Sequence, residues 1–230
     1  MKLRNKNLKI LKSNHVYSEE MEHDACGVGL VASTEGLKSR KVVEYGIDAL
    51  KAVWHRGAID ADGKTGDGAG IHIEIPKDFF EEKIEVTGHK HDNSELCVGM
   101  IFLPRNDYSA QEQCRTIVES ELTKRNFSIY GWRQVPVDPS VLGEKAEQTR
   151  PEITQVLFTY NDKKVVNKSL EQKLYETRRV IEKEALNNQL NNFYICSFSS
   201  KSIIYKGMFL AEALSDFYTD LKDERFISRY

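Results

Sequence analysis

The 230 residues carry 33 Lys and Arg against 35 Asp and Glu, a formal net charge of -2, with 40% hydrophobic and 10% aromatic residues. That composition belongs to a globular protein able to bury a sizeable core, and it offers no electrostatic footprint for nucleic acid. No apolar run approaches the roughly 18–20 residues of a membrane-crossing helix. The basic first twelve residues lack the apolar stretch of a secretory signal, so no membrane partner is expected and the expected location is cytoplasmic, with organelle targeting as the alternative.

Residues 1–25 mix charge with few apolar positions and turn acidic over 18–24, the pattern of an exposed leader. The stretch His23-Asp24-Ala25-Cys26-Gly27-Val28-Gly29-Leu30-Val31 ends it abruptly. Alternation then predicts a strand over 27–32, with Cys26, Val28, Leu30 and Ala32 on one face and Gly27, Gly29 and Val31 on the other. Glycines on one strand face mark a close approach of another backbone or of a ligand. Val43, Ile47, Leu50 and Trp54 recur at helical spacing and predict a helix over 38–55, with Gly57 placed as its left-handed cap.

A glycine-dense stretch follows over 56–70 and feeds Ile71-His72-Ile73-Glu74-Ile75-Pro76, an alternating strand with a proline stop. Residues 96–103 read as a buried strand ended by Pro104. Ser109 with Glu112 has the pattern of a capping box, opening a helix striped by Cys114, Ile117 and Leu122. A strand with an irregularity at Gly131 is predicted over 127–137, a loop over 138–151, and a strand over 153–160. Ser169 with Gln172 suggests a second capping box, before a helix striped by Leu170, Leu174, Ile181 and Ala185. Residues 193–198 and 203–206 read as a hairpin around Ser199-Ser200-Lys201. A short helix near 211–217 precedes a polar end. Strands and helices cluster rather than alternate, which favours an α+β layer fold over a doubly wound sheet. Two segments are expected, a leader over 1–25 and a single domain over 26–230.

The four cysteines, Cys26, Cys97, Cys114 and Cys196, show no CxxC or CxxH pairing, so neither a zinc site nor a disulfide framework is expected. Cys97, Cys114 and Cys196 fall on apolar strands or faces and read as inert core thiols. Cys26 has two readings, a small buried hydrophobe or a nucleophile, which needs a base and exposure. Cleavage of the Ala25-Cys26 bond would supply both, because an α-amine titrates at about 7.7–8, against about 10.4 for lysine. Gly66-Asp67-Gly68-Ala69-Gly70 lacks both a preceding strand and the GxGxxG spacing of a dinucleotide loop, so a tight turn feeding a core strand is expected there. His72, alternating with isoleucines, is expected at the surface.

Asp24-Ala25-Cys26-Gly27-Val28-Gly29, His55-Arg56-Gly57-Ala58 and Thr65-Gly66-Asp67-Gly68-Ala69-Gly70-Ile71 resemble the N-terminal class II glutamine amidotransferase domain of glutamate synthase large chains. Gly131-Trp132-Arg133-Gln134-Val135-Pro136-Val137-Asp138 and the stretches from Phe193 to Ser197 and from Tyr205 to Met208 extend the resemblance in order and spacing. It implies an N-terminal-nucleophile (Ntn) hydrolase fold, a four-layer αββα sandwich of antiparallel sheets, present here in part. It implies removal of the leader, Cys26 as the catalytic nucleophile, and Arg56 and Gly57 beside it at the glutamine site. The implied reaction releases ammonia from glutamine through a Cys26 thioester. In the family, that ammonia reacts with 2-oxoglutarate elsewhere in the chain, with FMN and an iron-sulfur cluster and with a small reductase subunit or ferredoxin as electron-supplying partner.

One departure matters. The family's oxyanion is held by an Asn-Gly pair, and these 230 residues contain no Asn-Gly dipeptide. The sequence therefore reads as the first half of such a domain. A catalytically incomplete fragment or interaction module, and an amidotransferase serving another ammonia acceptor, stand as the alternatives.

Overall fold

A computed structural model describes residues 6, 10, 27–53, 59–91, 94–162 and 168–230. Its elements in chain order are α1 (Arg40–Ala52), β1 (Ala69–Glu74), α2 (Lys77–Val86), β2 (Leu96–Leu103), α3 (Tyr108–Lys124) and β3 (Phe127–Gln134). They continue with α4 (Glu144–Thr149), β4 (Glu152–Tyr160), α5 (Lys168–Asn187), β5 (Tyr194–Ser199), β6 (Ser202–Gly207) and α6 (Leu214–Phe217). Two antiparallel sheets result, a two-stranded β1-β6 and a four-stranded β3-β4-β2-β5. This is an α+β sandwich, as the clustering of strands and helices predicts.

The unbroken apolar run of β2 follows from burial on both faces. Leu96, Val98 and Met100 enter the core that the four-stranded sheet shares with β1, β6, α1 and α2. Cys97, Ile101 and Leu103 enter a second core beneath α3 and α5. Because side chains alternate across a strand, a sheet sandwiched in this way needs apolar residues at every position. Leu170, Leu174 and Ile181 of the α5 stripe fill the second core as their helical spacing requires, and Ala185 at its end is buried as well.

Gly131 sits at φ 156° where the pairing of β3 with β4 shifts register between Ile129 and Gly131. A Cβ there would come within 2.9 Å of Thr87, so the predicted irregularity is a bulge that only glycine fits.

Several expectations are corrected. Residues 27–32 form no strand. Val28 and Leu30 are 90% and 83% exposed, while a Cβ on Gly29 would lie 3.9 Å from Ala49 of α1. The alternation separates the faces, but a strand also needs a hydrogen-bonding neighbour, and β1 pairs with β6 instead. Helix α1 ends at Ala52 with Val53 as its cap, short of the predicted residue 55. Helix α3 is capped two residues earlier than its sequence signal: Asp107, not Ser109, is the cap, accepting from the Ala110 amide at 2.9 Å. Ser169 likewise lies inside α5 rather than ahead of it, and Gln172 donates to Glu176.

Helix α2 goes unpredicted, although Pro76 ahead of Phe80 and Ile84 is its local signal. Helix α4 lies within the predicted loop over 138–151. Strands β5 and β6 form, yet not as a hairpin. Glu171 of α5 accepts from the Ser200 amide and hydroxyl at 2.8 Å and from the Ser199 hydroxyl at 2.9 Å. That anchored corner sends β5 to β2 in one sheet and β6 to β1 in the other. The end of the chain is polar only in composition, since Phe226 and Ser228 are fully buried.

Candidate functional site

The sequence-predicted site residues Cys26, Arg56 and Gly57 lie outside the described residues, as does the leader apart from residues 6 and 10. Their chain neighbours are described. Gly27, which follows Cys26, lines two adjoining cavities of about 640 and 360 Å³. Val53, three residues before Arg56, lines the smaller one. Gly70, Ile71 and His72 of β1 line both. The site is therefore a cleft around β1, floored by glycine-rich backbone and walled by α1 and residues 27–31.

Glycine is required where β1 meets β6. A Cβ on Gly70 would come within 2.7 Å of the Lys206 Cβ and 2.8 Å of the Tyr205 carbonyl, so the spacing in Gly66-Asp67-Gly68-Ala69-Gly70 reflects close backbone approach. The preceding turn is held from within. Asp62 accepts from the Thr65 hydroxyl at 2.5 Å, the Thr65 amide at 2.7 Å and the Lys64 amide at 2.9 Å. Those donors, the Thr65 hydroxyl first, hold its carboxyl well below the usual range. Asp60 pairs with Lys145 of α4 at 2.6 Å, which lowers the carboxyl and raises the amine. Turn and α4 are thus tied together ahead of β1. The tight turn expected over 66–70 lies instead at residues 60–65, where the Gly63 amide donates to the Asp60 carbonyl at 2.9 Å, while Gly66 bridges to Ile59 and Ala69 and Gly70 already belong to β1.

Around the larger cavity stand an exposed carboxylate, Asp67, and two cations already engaged. Lys206 donates to the Tyr194 hydroxyl at 2.7 Å and lies over the same ring. Arg150 donates to Glu147 at 2.7 Å. These groups come from three distant parts of the chain, and no local spacing could have gathered them. His72 is exposed, as expected, but also faces the cleft. The arrangement can admit a small polar molecule beside Gly27 and surround it with charges of both signs.

Cys97, Cys114 and Cys196 are buried. Burial pushes the Cys114 and Cys196 thiols up to about 11 and Cys97 well above its ordinary value. A cysteine ligates a metal or cluster only as its thiolate, and among the described residues no group of three or more His, Cys, Asp or Glu is placed to hold a metal ion. The residues described here do not fit an iron-sulfur cluster. Among the same residues, no helix is long and apolar enough to cross a membrane.

Residues 26–230 match the family description "Glutamine amidotransferases class-II". The chain is 55% identical over 224 residues to the glutamate synthase (NADPH) large chain of Azospirillum brasilense, covering 97% of this chain and 15% of that protein. It is 37% identical over 210 residues to ferredoxin-dependent glutamate synthase 2 of Synechocystis, covering 91% and 13%. A third relative, the glutamate synthase (NADPH) large chain of Bacillus subtilis, is 34% identical over 222 residues, covering 95% and 14%. The chain thus spans only a small part, 13–15%, of the length of these relatives.

Proposed function

The chain belongs to the class-II glutamine amidotransferases, and from that premise we propose that it carries the glutamine-hydrolysing end of a glutamate synthase-type enzyme. The observation that carries this reading is the family match, which begins at Cys26, one residue before the glycine that lines both cavities.

In this reading the leader over 1–25 is removed and Cys26 gains a free α-amine. The amine takes the thiol proton as sulfur attacks the side-chain amide carbon of glutamine. A C–S bond forms, the C–N bond breaks, and the proton leaves with ammonia. Water then hydrolyses the thioester, with the same amine as base, and releases glutamate. An amine titrating at about 7.7–8 is partly neutral near pH 7.5, and such a base contributes about 10²–10⁴-fold. Arg56 and Gly57 stand beside the nucleophile in this reading. The transfer of ammonia to 2-oxoglutarate, the FMN and iron-sulfur chemistry and the reductase or ferredoxin partner belong to further parts of a longer, cytoplasmic protein.

Mass spectrometry tests the reading. Protein beginning at Cys26, labelled at that residue by a glutamine-like chloroketone, is the expected result; protein beginning at Met1 and unlabelled at Cys26 overturns it. A specific observation favours a second reading, in which these 230 residues alone turn over no glutamine: they contain no Asn-Gly pair. Loss of one oxyanion donor costs about 10²–10³ in rate. Ammonia release from glutamine by the isolated chain would overturn this second reading.

A further inference from the structure

The end of β1 carries a buried carboxylate that the proposed chemistry does not use. Glu74 is 8% exposed. Its Oε2 accepts from the Arg229 amide at 2.7 Å, and its Oε1 lies 3.3 Å from the Arg229 guanidinium and 3.6 Å from Lys38 Nζ. Its own amide points away from β6 and donates to the Ser228 hydroxyl at 3.1 Å.

Backbone hydrogen bonds from residues 33 and 39 tie the same stretch down. Ser39 and Ser228 exchange backbone hydrogen bonds at 3.0 and 3.3 Å, and the Ser33 amide donates to the Arg229 carbonyl at 2.7 Å. Tyr230 then meets His72 edge to face, with ring centroids 6.3 Å apart. Tyr230 lines the smaller cavity together with residues 27–31.

From this geometry we propose that Glu74 is a positioning residue for the cleft. Its carboxylate draws Lys38 and Arg229 together, seating the 228–230 stretch along the edge of β1 that β6 leaves open. Tyr230 and the chain after Cys26 are thereby held as two walls of one groove. A carboxylate suits the task because charge-assisted hydrogen bonds hold geometry more firmly than neutral ones. Removing it leaves two cations and an amide without their shared acceptor. The assignment to a glutamine site rests on the proposed function; the seating itself does not.

Hydrogen-exchange mass spectrometry on the 230-residue protein tests the seating. In Glu74→Ala, amides over 33–39 and 226–230 should exchange at least about tenfold faster, with β2 and β5 unchanged. The His72 imidazole proton signals should lose their ring-current displacement by Tyr230. Glu74→Gln, which keeps an acceptor for the Arg229 amide, should restore part of both effects. Unchanged protection over 33–39, or equal acceleration in β2 and β5, overturns the proposal. Should Glu74→Ala not fold, Ser228→Ala must show the same local pattern, and unchanged protection there overturns it equally. Chloroketone labelling of Cys26 in the wild-type protein separates the two claims. Absence of labelling sinks the glutamine-site reading alone, and failed exchange predictions with Cys26 labelled sink the role of Glu74 alone.

Discussion

Arg133 on β3 donates from both terminal nitrogens to Asp220, at 2.7 and 2.6 Å, beside the core that joins the two sheets. Asp220 belongs to a 3₁₀ turn, Thr219–Lys222. The same guanidinium donates to the Gln155 side chain of β4 at 2.7 Å, Gln155 donates to the Tyr205 hydroxyl of β6 at 3.1 Å, and that hydroxyl donates to Asp220 at 3.2 Å. The ring of contacts closes across both sheets. Burial, followed by the charge of Asp220, pushes the Tyr205 phenol well above its ordinary value, so it stays a donor.

Asp220→Ala strands a guanidinium whose side chain is 13% exposed. Removing one partner of such a buried pair costs about 3–5 kcal/mol, whereas replacing both with apolar residues of similar volume is often close to neutral. Urea unfolding should therefore show Asp220→Ala strongly destabilised and the Arg133→Met, Asp220→Leu double variant less so. A single variant as stable as wild type would show that the pair contributes nothing.

Acid should weaken the fold in a way one side chain can report. Asp223 accepts from the Arg225 guanidinium at 2.7 and 2.9 Å and from the Arg225 amide at 2.9 Å. The Arg225 side chain, first among the causes, lowers the Asp223 carboxyl from 3.8 to about 2. The folded state thus binds this proton more weakly than the unfolded state. Its contribution is complete above about pH 4 and is lost as pH falls from there through about 2. Scanning calorimetry from pH 6 to 2 should show Asp223→Asn less stable at pH 6 and declining less steeply below pH 4. Glu121 and Glu147, lowered by their own cation partners, keep some slope in the variant. Parallel curves for the two proteins would remove Asp223 as a source of acid sensitivity.

Thiol chemistry gives a third check. With Cys114 and Cys196 near 11, only about one part in a thousand of either is thiolate at pH 8. A disulfide reagent at pH 8 should leave Cys97, Cys114 and Cys196 of the folded protein unmodified while a small free thiol reacts fully. In guanidinium all four cysteines of the chain should react. Peptide mapping that finds label on any of the three in folded protein would contradict their burial.

The period of the sequence determined how side chains divide between faces. Leu170, Leu174 and Ile181 lie in one core, with Ala185 buried on the same face, because helical spacing sets them there, and Gly131 marked its bulge because side-chain-free backbone is a local property. The motifs around Cys26, Arg56 and Gly57 carried the family by resemblance, and the family match bears that out. Tertiary structure decided the rest. Residues 27–32 alternate correctly yet stay unpaired, because a strand exists only against a neighbour. Likewise β5 and β6 part into different sheets because Glu171, some thirty residues earlier, holds the corner between them. Glu74 reads as a routine strand residue until Arg229, 155 positions away, arrives beside it. Periodicity reports what one segment prefers, whereas pairing and buried charge depend on which distant segment is there to meet it.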